Sequence, residues 1–365
     1  MFFYKARRKI FRELRRNYNY YETILITSRT VSQNKELYID VSGIVLNRYL
    51  YVFLKFFHLA GYTIYLPKDK NIINEICQTK GEISLILKEG FVKFGNPRRD
   101  FYGIRISKNQ LSNDYFTPLL REKLMKDNSY HVPMCEYPSF YHGYENRKEC
   151  SRNITRKKSV FMSGNIDVRY YDKICKDGLF QIPSRRKVAD YIFQKEFYLD
   201  IGCPKDLENF IASELDNRVI IIDTVEKFRI SGSELKNIIK SFDFFLALPG
   251  IEAPLSHNLI EAMSTGSIPV IHSTYAGLFR PVLKNNKNAL VYNTLEELVE
   301  VIERTFGLSE EKISALRDNV KRYYMDFLAP EAVVKKIECN KYSKIFFFAE
   351  TSSLSYLKKG LNKNG

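Results

Sequence analysis

The residues best suited to chemistry lie in one stretch. Between Phe242 and Ser273 the chain runs from an apolar segment through a polar loop to a second apolar segment. The loop holds Glu252, Ser256, His257 and Asn258, and Glu261 lies on the helix that leaves it. Carboxylate, hydroxyl, imidazole and amide together can hydrogen-bond a polar ligand, and backbone N–H groups at a helix start can hold an anion. The run Phe242–Leu248 is almost wholly apolar, as a strand buried on both faces of a parallel sheet requires. Pro249-Gly250 stops it, Gly266 ends the helix, and Ile268-Pro269-Val270-Ile271 reads as the next strand. Polar groups are thus gathered at the carboxyl end of a buried parallel strand, where open α/β sheets bind ligands. An ordinary βαβ unit with no ligand has the same pattern.

The elements that must position this loop repeat along the chain. Glu36–Asp40 reads as a strand, Val41-Ser42-Gly43 as a turn, Ile44–Ala60 as an apolar helix and Tyr62–Leu66 as a strand. Asn71–Lys80 fits a short helix, and 83–87, 91–94 and 102–106 are further strands. The basic stretch 145–158 reads as a linker. A second series follows: strand 159–162, helix 185–194, strands 196–201 and 219–223, helix 233–241, then the stretch above, strand 288–292 and helices 295–306 and 309–327. The fold class is therefore α/β, with two Rossmann-like domains facing a cleft. The expected domains are 1–150, 151–335 and a C-terminal segment 336–365 that holds the apolar run Lys344–Ala349.

Composition bounds the function. The chain has 365 residues, 45% hydrophobic, with a net charge of +15. That is enough apolar content for real cores, and the charge points to an anionic partner. The cysteines, at 77, 135, 150, 175, 203 and 339, form no CxxC pair, so no zinc or iron–sulfur spacing is present. Reduced thiols and a cytoplasmic setting fit them better than a disulfide framework. The start, 1–16, interleaves Phe3, Ile10, Phe11 and Leu14 with Arg and Lys at helical spacing. This fits a basic helix lying on an anionic membrane surface, and equally a basic helix packed on its own domain. No GxGxxG, GxxxxGK[ST] or GxSxG occurs, which argues against a dehydrogenase, a P-loop enzyme and an α/β-hydrolase. No RNP-like, zinc-finger or helix-turn-helix pattern supports nucleic-acid binding, the rival that the charge invites.

The run 244–273 resembles the donor-binding segment of GT-B glycosyltransferases, most closely the exostosin-like group. That group has a strand ending in Pro and Gly, then a Pro, a Ser, an Arg two positions on, an acidic residue followed by Ala, a Gly, and Ile-Pro-Val-Ile. Here these are Pro249, Gly250, Pro254, Ser256, Glu261, Ala262, Gly266 and Ile268–Ile271. Asn258 stands at the group's Arg position. The resemblance implies an acceptor bound by 1–150, a nucleotide-sugar donor bound by 151–335, a C-terminal segment 336–365 that packs back on the first domain through Lys344–Ala349, no metal and no other cofactor. Glu261 would accept the ribose hydroxyls, and Ser256, His257 and Asn258 would meet phosphate at the helix start. Gly250 would let the donor approach the backbone. Gly164 and Asn165, ending the second domain's first strand, would face the donor, with Arg185 and Arg186 as counter-charges for the leaving phosphate. For an inverting transfer Asp40 is the candidate base and His142 the runner-up; a retaining one needs neither. The expectation is a glycosyltransferase for a surface polysaccharide such as lipopolysaccharide, or for a lipid-linked glycan, cytoplasmic and peripheral at the inner membrane face. A non-catalytic nucleotide- or sugar-binding module is the alternative.

Overall fold

The structure, a computed structural model, describes residues 2–97, 102–121, 128–142, 155–171, 173–176 and 178–362. It divides into two compact units, one made of 1–132 with 330–365 and the other of 133–329. The change of unit falls at Val132–Pro133, not near 150. Residues 143–154, most of the expected linker, lie outside the described residues, and Lys157 and Lys158 already belong to a strand.

The first unit is built on a four-stranded parallel sheet of β1 (Lys35–Ile39), β2 (Tyr62–Leu66), β3 (Val92–Phe94) and β4 (Ile104–Ile106), in the order β3-β2-β1-β4. This is the doubly wound order, which grows from a central first strand to both sides. Helix α1 (Phe2–Ser28) precedes the sheet, and α2 (Arg48–Leu59) and α3 (Lys70–Gln78) follow β1 and β2. Asn47 caps α2 by accepting from the N–H groups of Tyr49 (3.0 Å) and Leu50 (3.1 Å). The helix therefore begins at Arg48, later than the apolar pattern from Ile44 implies. A second parallel sheet joins β5 (Leu111–Ser112) and β6 (Ser129–His131) through β12 (Lys344–Phe346) between them. The C-terminal apolar run is thus a strand of the first unit.

The second unit holds a five-stranded sheet of β7 (Lys157–Gly164), β8 (Val219–Asp223), β9 (Phe242–Ala247), β10 (Ile268–His272) and β11 (Leu290–Tyr292), ordered β11-β10-β9-β7-β8. Every strand pair recorded in it is parallel. From β7 the chain steps outward to β8, then crosses back to β9 and continues the other way. The switch in direction lies between β7 and β9, where such sheets open a crevice at their carboxyl ends. All residues of β8, β9 and β10 are buried, the few polar ones (Asp223, Asp243 and His272) with the apolar majority, as strands covered on both faces require. Phe161 and Phe242 stack at 4.7 Å across β7 and β9.

Two expected strands are absent. Residues 83–87 form a 3₁₀ turn, Glu82–Ser84, and a short helix, Leu85–Lys88. Ile83 and Ile86 are buried at a spacing of three, the helical repeat, so the period there is helical and not alternating. Of 196–201 only Tyr198 makes a bridge, to Val219 at the sheet's edge. Among the described residues no helix is long and apolar enough to cross a membrane.

Candidate active site

The site in the second unit is built from the carboxyl ends of β7 and β9 and the helix His257–Thr265. Ser256 is that helix's N-cap residue, and Gly266 closes it in the left-handed conformation at φ 82°. Ser163, Gly164 and Asn165 end β7, and Leu248-Pro249-Gly250 leave β9. The two ends meet at Arg185, the first residue of the helix Arg185–Phe193. Arg185 is 4% exposed. Its Nε donates to Pro249 O (2.5 Å), one Nη to Asn165 O (3.1 Å) and the other to Ser256 Oγ (3.1 Å). The guanidinium lies 4.2 Å from the centre of the Tyr171 ring. Among the described residues no carboxylate pairs with it, and burial holds its pKa below the usual arginine value. A buried cation with only neutral partners is costly by itself. An anion in the crevice would offset that cost.

The other groups converge on the same point. Ser256 Oγ donates to Asn258 Oδ1, Asn258 Nδ2 donates to Ser163 O (3.4 Å), and Tyr275 OH accepts the Ser256 N–H (2.8 Å). A Cβ added to Gly164 would stand 2.9 Å from Arg185 Nη1 and 3.6 Å from Asn258 Nδ2. Gly164, Asn165, Arg185, Ser256 and Asn258 are therefore one cluster. Asn165 contributes its carbonyl, because its Oδ1 is held by the Asp167 N–H (2.7 Å). Tyr171 and Tyr275 complete the cluster; a tyrosine in a short helix beside a strand end carries no distinctive sequence signal.

Several expected roles change. Arg186 pairs with Asp190 (2.7 Å) and Glu226 (3.8 Å) on the surface, because successive helical residues point about 100° apart. Gly250 is required by its own loop: a Cβ there would stand 2.5 Å from Leu255 O and 2.6 Å from Ala253 O. Glu261 sits in the second turn of its helix, beyond the first-turn positions that the dipole favours. It is 2% exposed, and its Oε1 accepts the Tyr137 N–H (3.1 Å). Burial pushes its carboxyl up to about 7, against the hydrogen bond from Tyr137. His257 faces the same segment, with Nδ1 2.8 Å from Cys135 O and its ring edge-on to Tyr137. Asp40 lies in the first unit, where its Oδ1 accepts the Ser42 N–H (3.0 Å) just after β1. His142 is exposed and belongs to the second unit, not to the acceptor domain assigned from sequence.

A cavity of about 1030 Å³ opens at the carboxyl ends of β10 and β11 in the same unit. Arg186, Lys187, Tyr191, His272, Asn293 and Glu296 are among its lining residues. The helix that begins with Arg185 forms one wall of it.

Fold and cluster define a parallel α/β unit with a cationic crevice at its topological switch. No protein-family model and no curated protein matches the chain. Among solved structures it is similar to HepE from Anabaena in complex with UDP, at 14% identity and TM-score 0.37, over 83% of this chain and 98% of that one. It is similar to WaaG, a glycosyltransferase involved in lipopolysaccharide biosynthesis, at 12% and 0.36, over 84% and 99%. The C-terminal domain of the group 1 glycosyl transferase LpcC from Francisella tularensis matches at 13% and 0.30, over 47% and 86%. None of the three is described as exostosin-like.

Proposed function

We propose that the protein is a glycosyltransferase that takes a sugar from a nucleotide donor. The observation that carries this reading is Arg185, a buried guanidinium with neutral partners at the β7/β9 switch and beside the N-terminus of the helix His257–Thr265. Cation and helix N-terminus together suit a diphosphate. In the transfer, the bond from the anomeric carbon to the phosphate oxygen breaks and the acceptor oxygen bonds that carbon. Charge develops on the leaving phosphate, where Arg185 stabilises it without metal. Glu261 takes the ribose hydroxyls once Tyr137 yields its hydrogen bond. The adjoining cavity has room for the rest of the donor. Asp40 accepts the acceptor's proton if the configuration inverts. The acceptor we propose is a surface polysaccharide or lipid-linked glycan, and the setting is the cytoplasmic membrane face.

A thermal-shift panel of UDP-, GDP-, CMP- and ADP-sugars tests this reading. A bound donor at a hundredfold its Kd stabilises the folded state by about 2.7 kcal/mol. One nucleotide class should raise Tm, and product analysis should then show sugar transfer. Stabilisation without transfer would leave a binding module. No stabilisation, with salt-sensitive binding to RNA or DNA, would overturn the reading.

A further inference from the structure

Helix α1 is amphipathic in an inverted sense. Its inner face is mainly polar, with Tyr20 and Ile24 half-buried among the polar residues. Thr23 and Thr27 are buried, Thr23 lies 3.4 Å from Cys77 on α3, and Arg16 bonds Asn71 (2.7 Å) and, through its carbonyl, Asn74 (3.2 Å). Glu13 pairs with Lys70. Its outer face is apolar: Ile10, Phe11, Leu14, Tyr18, Tyr21 and Leu25 are each between 59% and 69% exposed. At 100° per residue these six fall within a stripe about 100° wide, opposite the threonines, and it runs about 22 Å along the axis. Folding on the first unit therefore turns the apolar side outward.

We infer that this stripe seats the protein on an anionic lipid bilayer, independently of the donor site. Charge selects the occupant. Arg8 and Arg15 lie along the border beyond Phe11, with Arg12 exposed farther round toward the threonines, and the acid on that border, Glu22, accepts a hydrogen bond from Tyr18 (3.0 Å). A row of arginines beside an apolar and tyrosine-rich stripe matches phosphate headgroups above acyl chains. A second copy of the chain would set the same cationic row against its own.

The test uses the full chain with vesicles of phosphatidylcholine, alone or mixed with phosphatidylglycerol. The protein should sediment with the mixed vesicles, and salt should release it. The exposed-face variant Ile10→Asn/Phe11→Asn/Leu14→Asn should keep the wild-type Tm and lose at least about tenfold in partitioning. Arg8→Gln/Arg12→Gln/Arg15→Gln should lose at least about tenfold and flatten the salt dependence. Three results would each overturn the inference: no binding to mixed vesicles, equal binding by the stripe variant, or a wild-type dimer that the stripe variant turns into a monomer. The nucleotide-sugar thermal shift should be the same in all these variants, so the two readings fail separately.

Discussion

Arg185 is the residue on which the functional reading turns, and two substitutions separate its charge from its placement. Arg185→Met keeps the stem and removes three donors to Pro249 O, Asn165 O and Ser256 Oγ. It should cost roughly 1–3 kcal/mol of stability and abolish the donor-induced rise in Tm. Gly164→Ala leaves the charge but drives a Cβ to 2.9 Å from Nη1. It should weaken donor binding at a smaller cost in stability; wild-type donor binding in this variant would remove the crevice as the phosphate site. Glu261 gives a pH signature. Its folded pKa of about 7 exceeds the unfolded carboxyl value, so between about pH 4 and 7 the folded state holds the extra proton. Its contribution to stability therefore falls as pH rises through that window, by an amount on the order of 3 kcal/mol. Asp243, raised to about 6 by burial despite its bridge to Arg317 (2.8 Å), slopes the same way but levels off earlier. Glu261→Gln removes only the first slope. The Tm difference between variant and wild type should grow from pH 5 to pH 8, and a pH-independent difference would refute the raised pKa. Donor binding, by contrast, should strengthen through pH 7 in the wild type, because ribose hydroxyls favour the ionised acceptor.

At the scale of elements, glycines separate loop geometry from helix termination. Gly250→Ala would push a methyl against two backbone carbonyls, which no side-chain rotation relieves. It should destabilise the second unit by about 2–3 kcal/mol. Gly266→Ala, at φ 82°, should cost about 1–2 kcal/mol through left-handed strain, while Lys321 can move its flexible chain away. Urea unfolding of the two variants would rank them, and a neutral Gly250→Ala would mean that the 250–255 loop is not closed as described. These elements also show what the sequence made legible. Apart from Asp243 in β9 and the terminal Asp223 and His272, β8, β9 and β10 are continuous apolar runs, so burial on both faces announces them. The segment 83–87 misled because four apolar residues in a short run fit either period. Arg185 and Arg186 look alike in sequence. Only the fold, with Ser184 capping the helix through the Lys187 N–H (3.3 Å), decides which of them turns inward. The cover that the Cys135–Tyr137 segment places over His257 and Glu261 had no local signal at all, since the contacts span more than a hundred residues.

At the scale of the whole molecule, the two units differ in how the chain builds them. The second is a single run, 133–329, whereas the first needs both ends of the chain. β12 is the middle strand of its sheet, and without it β5 and β6 have no partner in the sheet. Around it, Phe347 meets Phe53 at 4.9 Å, and Phe348 meets Tyr49 at 4.9 Å and Phe116 at 5.7 Å. Ser353 Oγ donates to Asn113 O (2.8 Å) in the same buried region. Each buried phenylalanine lost costs about 3–5 kcal/mol, and a domain has only about 5–15 kcal/mol in total. A chain ending at Asn340 should therefore lose the first unit's cooperative transition in calorimetry. The Arg185 cluster, Glu261 and the adjoining cavity all belong to 133–329, so with the donor bound as proposed the surviving transition should still rise on adding the nucleotide sugar that stabilises the intact protein. Loss of that rise together with the first unit would show that donor binding draws on residues outside the second unit, and would overturn the assignment of the donor site to Arg185 and its neighbours alone.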